Sequence, residues 1–153
     1  ARFFFNMKAS GSHLDFDLDL AVQQSNENPV FYVQYAHARI CSILRLLSSE
    51  GVKVPEVDSV KFELLNKQEE IDLIKKLAEY PEEVRISAQT LEPSRLTRYV
   101  TDVASQFHSF YNECRVKGED ESLMNARLLL VDSTRIVIKN VLDLLSISAP
   151  EKM

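Results

Sequence analysis

The chain has 153 residues, of which 45% are hydrophobic and 27% charged, with a formal net charge of −5. That length buries a real core, the composition excludes a disordered chain, and the acidic balance excludes a binder that relies on a broad basic surface. No apolar run approaches the ~20 residues of a membrane-spanning helix, and Ala1-Arg2-Phe3 lacks the start of a signal peptide.

The first residues open on an aromatic triplet with no initiator methionine, which reads as a piece cut from a longer protein. Residues 1–27 predict a short helical end, a polar turn at Ala9-Ser10-Gly11-Ser12, and a strand-like segment. In that segment Leu14, Phe16, Leu18 and Leu20 alternate with Asp15, Asp17 and Asp19. The three aspartates lack the central Gly and later Glu of a calcium loop, so they predict no metal site. Asn28 caps a helix whose first residue is Pro29, and this helix runs to about Ser49, where Gly51 stops it. Its apolar positions wrap more than one face, which predicts a central place in a bundle.

Val52 to Val60, with Pro55, predicts an extended connection. Asn66 with Glu69 reads as a capping box opening the next helix. Pro81 restarts the chain into a helix through Val84, Ala88 and Leu91. Pro93 opens a longer helix, whose Leu96, Val100, Val103, Phe107, Phe110 and Cys114 recur at spacings of three and four until Gly118. A last helix runs from about Glu121 to Leu145, followed by a tail from Ser146 to Met153. Three glycines and five prolines leave little material for hairpins. The expected fold is all-α: a bundle of about five or six helices.

Charge is unevenly spread. Residues 56–83 hold nine acidic and four basic side chains, and the segments on either side are each neutral. Local positive potential is therefore expected only around Arg39, Arg95, Arg98, Arg115 and Lys117. Cys41 and Cys114 both fall in apolar helical patterns and read as buried reduced thiols of a cytoplasmic protein rather than a disulfide.

The chemistry-bearing stretch is Asn28 to Ile43. Tyr32, Tyr35 and Arg39 share one helical face. Two aromatic planes and a guanidinium on one stripe can stack on unpaired bases and hold a phosphate; the same stripe also fits ordinary packing. His13, His37 and His108 have no carboxylate or cysteine neighbours at metal-ligand spacing, and His37 and His108 read as hydrogen-bonded packing residues. No Gly-rich phosphate loop and no Gly-x-Ser-x-Gly occurs.

The run Asn28-Pro29-Val30-Phe31-Tyr32-Val33-Gln34-Tyr35-Ala36-His37-Ala38-Arg39 resembles the start of the anticodon-binding domain of arginyl-tRNA synthetases. The opening Ala1-Arg2-Phe3-Phe4-Phe5, the segment His13 to Leu20, Phe107-His108-Ser109-Phe110-Tyr111-Asn112 and the closing Ser148 to Met153 resemble the same family, in order. The resemblance implies that residues 1–27 are the tail of the catalytic, stem-contacting region and that 28–153 form the helical anticodon-binding domain. It implies an anticodon loop of arginine tRNA bound by Tyr32, Tyr35, Arg39, Tyr111 and Met153, with Arg115 a weaker contact four residues beyond Tyr111. Ser146 stands at a helix end where the family often has Gly.

The His-x-Gly-His and Lys-Met-Ser-Lys-Ser signatures of class I synthetases are absent. By resemblance, ATP with Mg belongs to the full-length ligase, with no cofactor in this fragment and no catalytic residue. The implied partners are the tRNA and the ligase's own catalytic domain in cis, without membrane or DNA. The alternatives are the anticodon-binding bundle of another class I synthetase and a protein–protein adaptor bundle.

Overall fold

Local capping explains where the helices begin. The computed structural model describes every residue except Ser10 and Leu14. Its helices are α1 (Arg2–Asn6), α2 (Leu18–Val22), α3 (Pro29–Ser49), α4 (Gln68–Ala78), α5 (Tyr80–Thr90), α6 (Ser94–Glu113) and α7 (Glu121–Leu144). Two single-turn 3-10 segments, Val57–Ser59 and Phe62–Leu64, interrupt the connection between α3 and α4. No strand occurs among the described residues, so the expected all-α bundle is what forms, with α3 to α7 as its long members.

Asn28 accepts from the N–H groups of Val30 and Phe31 at 3.1 and 3.4 Å, which satisfies two of the orphan donors of α3. Among the described residues 15–20 the expected strand does not form. Asp17 instead caps α2 by accepting from Leu20 N–H at 2.9 Å, and a short helix replaces the alternation. A two-period pattern alone could not hold an isolated strand without a partner. Ser10 of the expected turn and Leu14 of the alternating segment lie outside the described residues.

The capping box of α4 sits one residue later than Asn66–Glu69. Glu70 reaches back to the N–H of Lys67 at 2.9 Å, and it does so from a buried position that Glu69 does not occupy. The end of α6 also differs. Gly118 was the expected stop, but the helix ends at Glu113, because Cys114 turns extended and puts its thiol in the core, with Val116 following it.

Helix ends share one backbone device. After α3, Gly51 takes φ +85° while its N–H donates to Ser48 and that of Val52 donates to Leu47. After α7, Ser146 takes φ +54°, its N–H donates to Asp143, and that of Ile147 donates to Leu142. Both are Schellman closures that satisfy the last carbonyls. Serine occupies the left-handed position in the second.

The hub of the bundle is α6, not the more uniformly apolar α3. It packs against α1, α3, α4, α5 and α7, whereas α3 packs mainly against α6 and α7. Val100, Val103, Ala104, Phe107 and Phe110 of α6 are fully buried. Each large apolar side chain so placed contributes roughly 1.5–3 kcal/mol. Phe3 of α1 enters this same core, while Phe4 and Phe5 close over Phe16.

A buried ion pair ties the acidic segment to α7. Arg127 donates to Glu70 at 2.7 Å, with side chains 2% and 0% exposed, and also to the Arg115 carbonyl at 2.6 Å and to Glu119. Glu70 thus serves at once as helix cap and as counter-ion. Neither member stands out in the sequence, since both lie among many surface-type charges.

Candidate nucleic-acid interface

The candidate surface lies where the first half of α3 faces the second half of α6. Tyr32 is half-buried, and its ring centroid lies 5.0 Å from that of His108 on α6. Tyr35, one turn on, is 38% exposed. It stacks on Phe31 along its own helix at 6.3 Å and against His108 at 6.2 Å. Tyr32, Tyr35, Arg39, His108, Asn112 and Asn26 line an open cleft of about 420 Å³. The three residues expected on one stripe therefore do share a surface.

Arg39 closes the cleft. Its guanidinium carbon sits 4.4 Å above the ring of Tyr111, within cation–π range. Among the described residues no carboxylate pairs with Arg39, so the ring is its partner and its charge stays available. Tyr111 is half-buried and packs on Phe107 at 5.9 Å.

His108 packs against Tyr32, Tyr35 and Phe107, as expected, but without the hydrogen bond expected of it. Its Nε2 is buried without a hydrogen-bond partner among the described residues. Burial, and then the nearby charge of Arg39, hold its pKa below the usual histidine value, so the ring is neutral at physiological pH. A neutral imidazole beside two phenol rings adds a third ring to the cleft. The sequence signal was present: His108 lies three residues before Tyr111 and four before Asn112, on one face of α6.

Two expected residues stand elsewhere. Arg115 lies beyond the end of α6 and is exposed, so it does not share the helical face of Tyr111. From the following loop it lines a separate recess together with Tyr111. Met153 is 56% exposed, and no hydrogen bond or aromatic contact joins it to the tyrosines among the described residues.

The tail that carries Met153 is nevertheless ordered by α3. Gln34 donates to the Ser148 carbonyl at 2.8 Å, buried His37 lies 2.9 Å from the Pro150 carbonyl through Nδ1, and Arg45 donates to the Glu151 carbonyl at 3.0 Å. Arg2 donates to the Ser146 carbonyl at 2.8 Å. Gln34, His37 and Arg45 form a polar stripe on the otherwise apolar α3, and that interruption of the pattern was the missed signal. His37 is the hydrogen-bonded packing residue the sequence predicted.

Cys41 and Cys114 are buried free thiols, each with its pKa pushed up by burial. Among the described residues no group of His, Cys, Asp or Glu gathers for a metal ion, and no helix is long and apolar enough to cross a membrane.

Comparison with known proteins agrees with this architecture. Residues 33–153 match the model of the DALR anticodon binding domain. The whole chain is 79% identical to part of the arginine–tRNA ligase of Acetivibrio thermocellus and 61% identical to part of that of Caldanaerobacter subterraneus subsp. tengcongensis. It spans 27% of the length of each. Among solved structures, arginyl-tRNA synthetase of Thermus thermophilus superposes with a TM-score of 0.84 at 30% identity, over 99% of this chain and 26% of that one. On the family match and this structural agreement, the chain belongs to the DALR anticodon-binding domain family.

Proposed function

We propose that the chain is the anticodon-binding portion of an arginine–tRNA ligase and that it grips the anticodon loop of arginine tRNA. The observation that carries this reading is the cleft in which Tyr32, Tyr35 and His108 stand beside the guanidinium of Arg39, which has no carboxylate partner among the described residues. Loop bases are unstacked in a hairpin and can be splayed onto such platforms, each contributing roughly 1–3 kcal/mol. Two or three platforms compensate for the missing basic surface of a chain with net charge −5.

In this reading Tyr32, Tyr35 and Tyr111 receive bases, and Arg39 holds a phosphate or a base edge. Arg115 adds charge from the neighbouring loop. Met153, presented by the clamped tail, contacts the loop from the C-terminal side. Residues 1–27 continue into the catalytic region, and 28–153 form the binding domain. The parent ligase works in the cytoplasm, with ATP and Mg forming arginyl-adenylate before arginine is transferred to the tRNA. That chemistry belongs to the catalytic domain in cis. This chain supplies recognition.

Filter binding at low salt with an arginine tRNA transcript and an anticodon-swapped control tests the reading. Tighter binding of the arginine tRNA is expected. Equal retention of the two, or retention of neither, would sink it.

A further inference from the structure

The segment that joins α6 to α7 has no ladder of its own. Among the described residues no backbone–backbone hydrogen bond involves residues 115–119. Side chains orient it instead. Cys114 and Val116 are buried while Arg115 and Lys117 are exposed, so the segment alternates inward and outward at period two. That packing decides which side chains face out, but it leaves the peptide planes between them free to turn. The carbonyl of Arg115 is fixed by Arg127, whose Nη1 donates to it at 2.6 Å from a side chain 2% exposed. Arg127 is held in turn at its other edge, where Nε donates to Glu70 at 2.7 Å, and Glu70 also accepts from the Lys67 N–H. Taking such a pair out of water costs about as much as the attraction returns, so stability alone is a weak reason for it. A planar guanidinium can meet a carboxylate and a carbonyl at once, which the single ammonium of a lysine cannot.

We propose that Arg127, held by Glu70, is a positioning residue for RNA binding: through the Arg115 carbonyl it fixes the direction in which the Arg115 guanidinium leaves the fold. The inference rests on the anticodon-loop reading above, which gives Arg115 its contact, and adds a buried pair that never touches the RNA. Two observations support it. The Arg115 guanidinium has no carboxylate partner among the described residues, so its backbone is what aims it beside Tyr111. The bonds to that backbone come from elements distant in the chain: Arg127 belongs to α7, and Glu70 to α4. A long cation aimed by its own flexible stem loses rotamer freedom when it binds, and a fixed peptide at its root lowers that cost.

The test is a double-mutant cycle on the 153-residue chain, with a hairpin RNA bearing an arginine anticodon loop and affinity read by fluorescence anisotropy. Arg115→Ala removes the outward cation, Arg127→Lys keeps a charge for Glu70 but cannot hold the carbonyl as well, and Tyr35→Ala reports on the cleft. Each protein is measured where circular dichroism shows it fully folded. Arg115→Ala should weaken binding by about tenfold, the scale of one charge-assisted hydrogen bond. Arg127→Lys should weaken it by a similar factor, and the double variant by no more than the larger single loss. A purely structural role predicts the same loss from Arg127→Lys whether or not Arg115 is present, so losses that multiply overturn the proposal. An unchanged affinity for Arg127→Lys overturns it too, as does an unchanged affinity for Arg115→Ala; in either case a loss in Tyr35→Ala leaves the anticodon-loop reading standing. If Arg127→Lys does not fold, Arg127→Met with Glu70→Gln, which leaves no stranded charge, takes its place in the cycle. Failure of both to fold makes the pair structural only and overturns the proposal. If Tyr35→Ala and Arg115→Ala both bind as the parent does, the anticodon-loop reading fails and the positioning role with it.

Discussion

The guanidinium of Arg39 rests 4.4 Å above the ring of Tyr111, and this pair joins α3 to α6 beside the cleft that Arg39 lines. The ring covers one side of the cation and leaves the rest toward the cleft. Removing the cation should therefore affect both the ligand and the neighbouring imidazole. Arg39→Met keeps the stem that packs on the ring but removes the charge. Affinity for arginine tRNA should fall by about tenfold or more, in line with roughly 1.5–3 kcal/mol for a charge-assisted contact. Unchanged affinity would remove Arg39 from the binding surface.

The same variant should raise the pKa of His108, because Arg39 is the second cause of its depression after burial. A histidine titration by NMR reads this directly. In the parent chain the folded value lies below the ordinary 6.5, so the unfolded chain takes up this proton first as pH falls. His108 is thus neutral in its effect on stability above about pH 6.5 and costs stability progressively below it. Arg39→Met should shrink that acid-side loss. A His108 titration identical in both proteins would count against the Arg39–His108 coupling.

Tyr35 is exposed enough that its loss should not disturb the core. Tyr35→Ala should weaken binding of the arginine tRNA by roughly 1–3 kcal/mol while leaving the helical circular dichroism and the urea midpoint nearly unchanged. Tyr111→Ala should weaken binding similarly, at some cost in stability, because Tyr111 packs on Phe107. Should Tyr35→Ala instead shift the urea midpoint strongly, its ring belongs to the core and not to a binding face.

The Arg127–Glu70 pair is almost wholly removed from solvent. Arg127→Met leaves a buried carboxylate without its counter-ion, and urea unfolding should show a loss of about 3–5 kcal/mol. Adding Glu70→Gln removes the stranded charge while its amide can still accept from Lys67 N–H, so the double variant should recover part of the loss. Two losses that simply add would mean that the residues do not act as a pair.

Ser146 holds a left-handed backbone that costs an L-residue about 1–2 kcal/mol and costs glycine nearly nothing. Part of that gain is offset by glycine's greater freedom in the unfolded chain. Ser146→Gly should raise stability by about 0.5–1 kcal/mol, seen as a small increase in Tm. A decrease would show that the serine side chain contributes more than its backbone strain costs.

The stripe of Tyr32, Tyr35 and Arg39 was legible because helical spacing is a local property: once Asn28 caps and Pro29 begins α3, the angular position of every side chain follows. The same holds for the start of α7 and for the stop at Gly51. The failures share a different cause. The alternation around Asp15, Asp17 and Asp19 describes a strand only if another strand is available, and none occurs among the described residues. The helix through Cys114 ends early because the core claims that thiol, a competition no local pattern records.

By itself, then, the chain's order of residues determined the number of long helices, most of their bounds and which aromatic side chains share a face, since capping, proline and periodicity act over a few neighbours. Tertiary structure alone decided that His108 of α6 enters the tyrosine cleft, that Tyr111 receives Arg39, that Glu70 meets Arg127 across 57 positions, and that Gln34, His37 and Arg45 hold the tail. Each of these joins residues far apart in the chain, and such partners are chosen by the global packing of apolar faces, which local spacing does not encode.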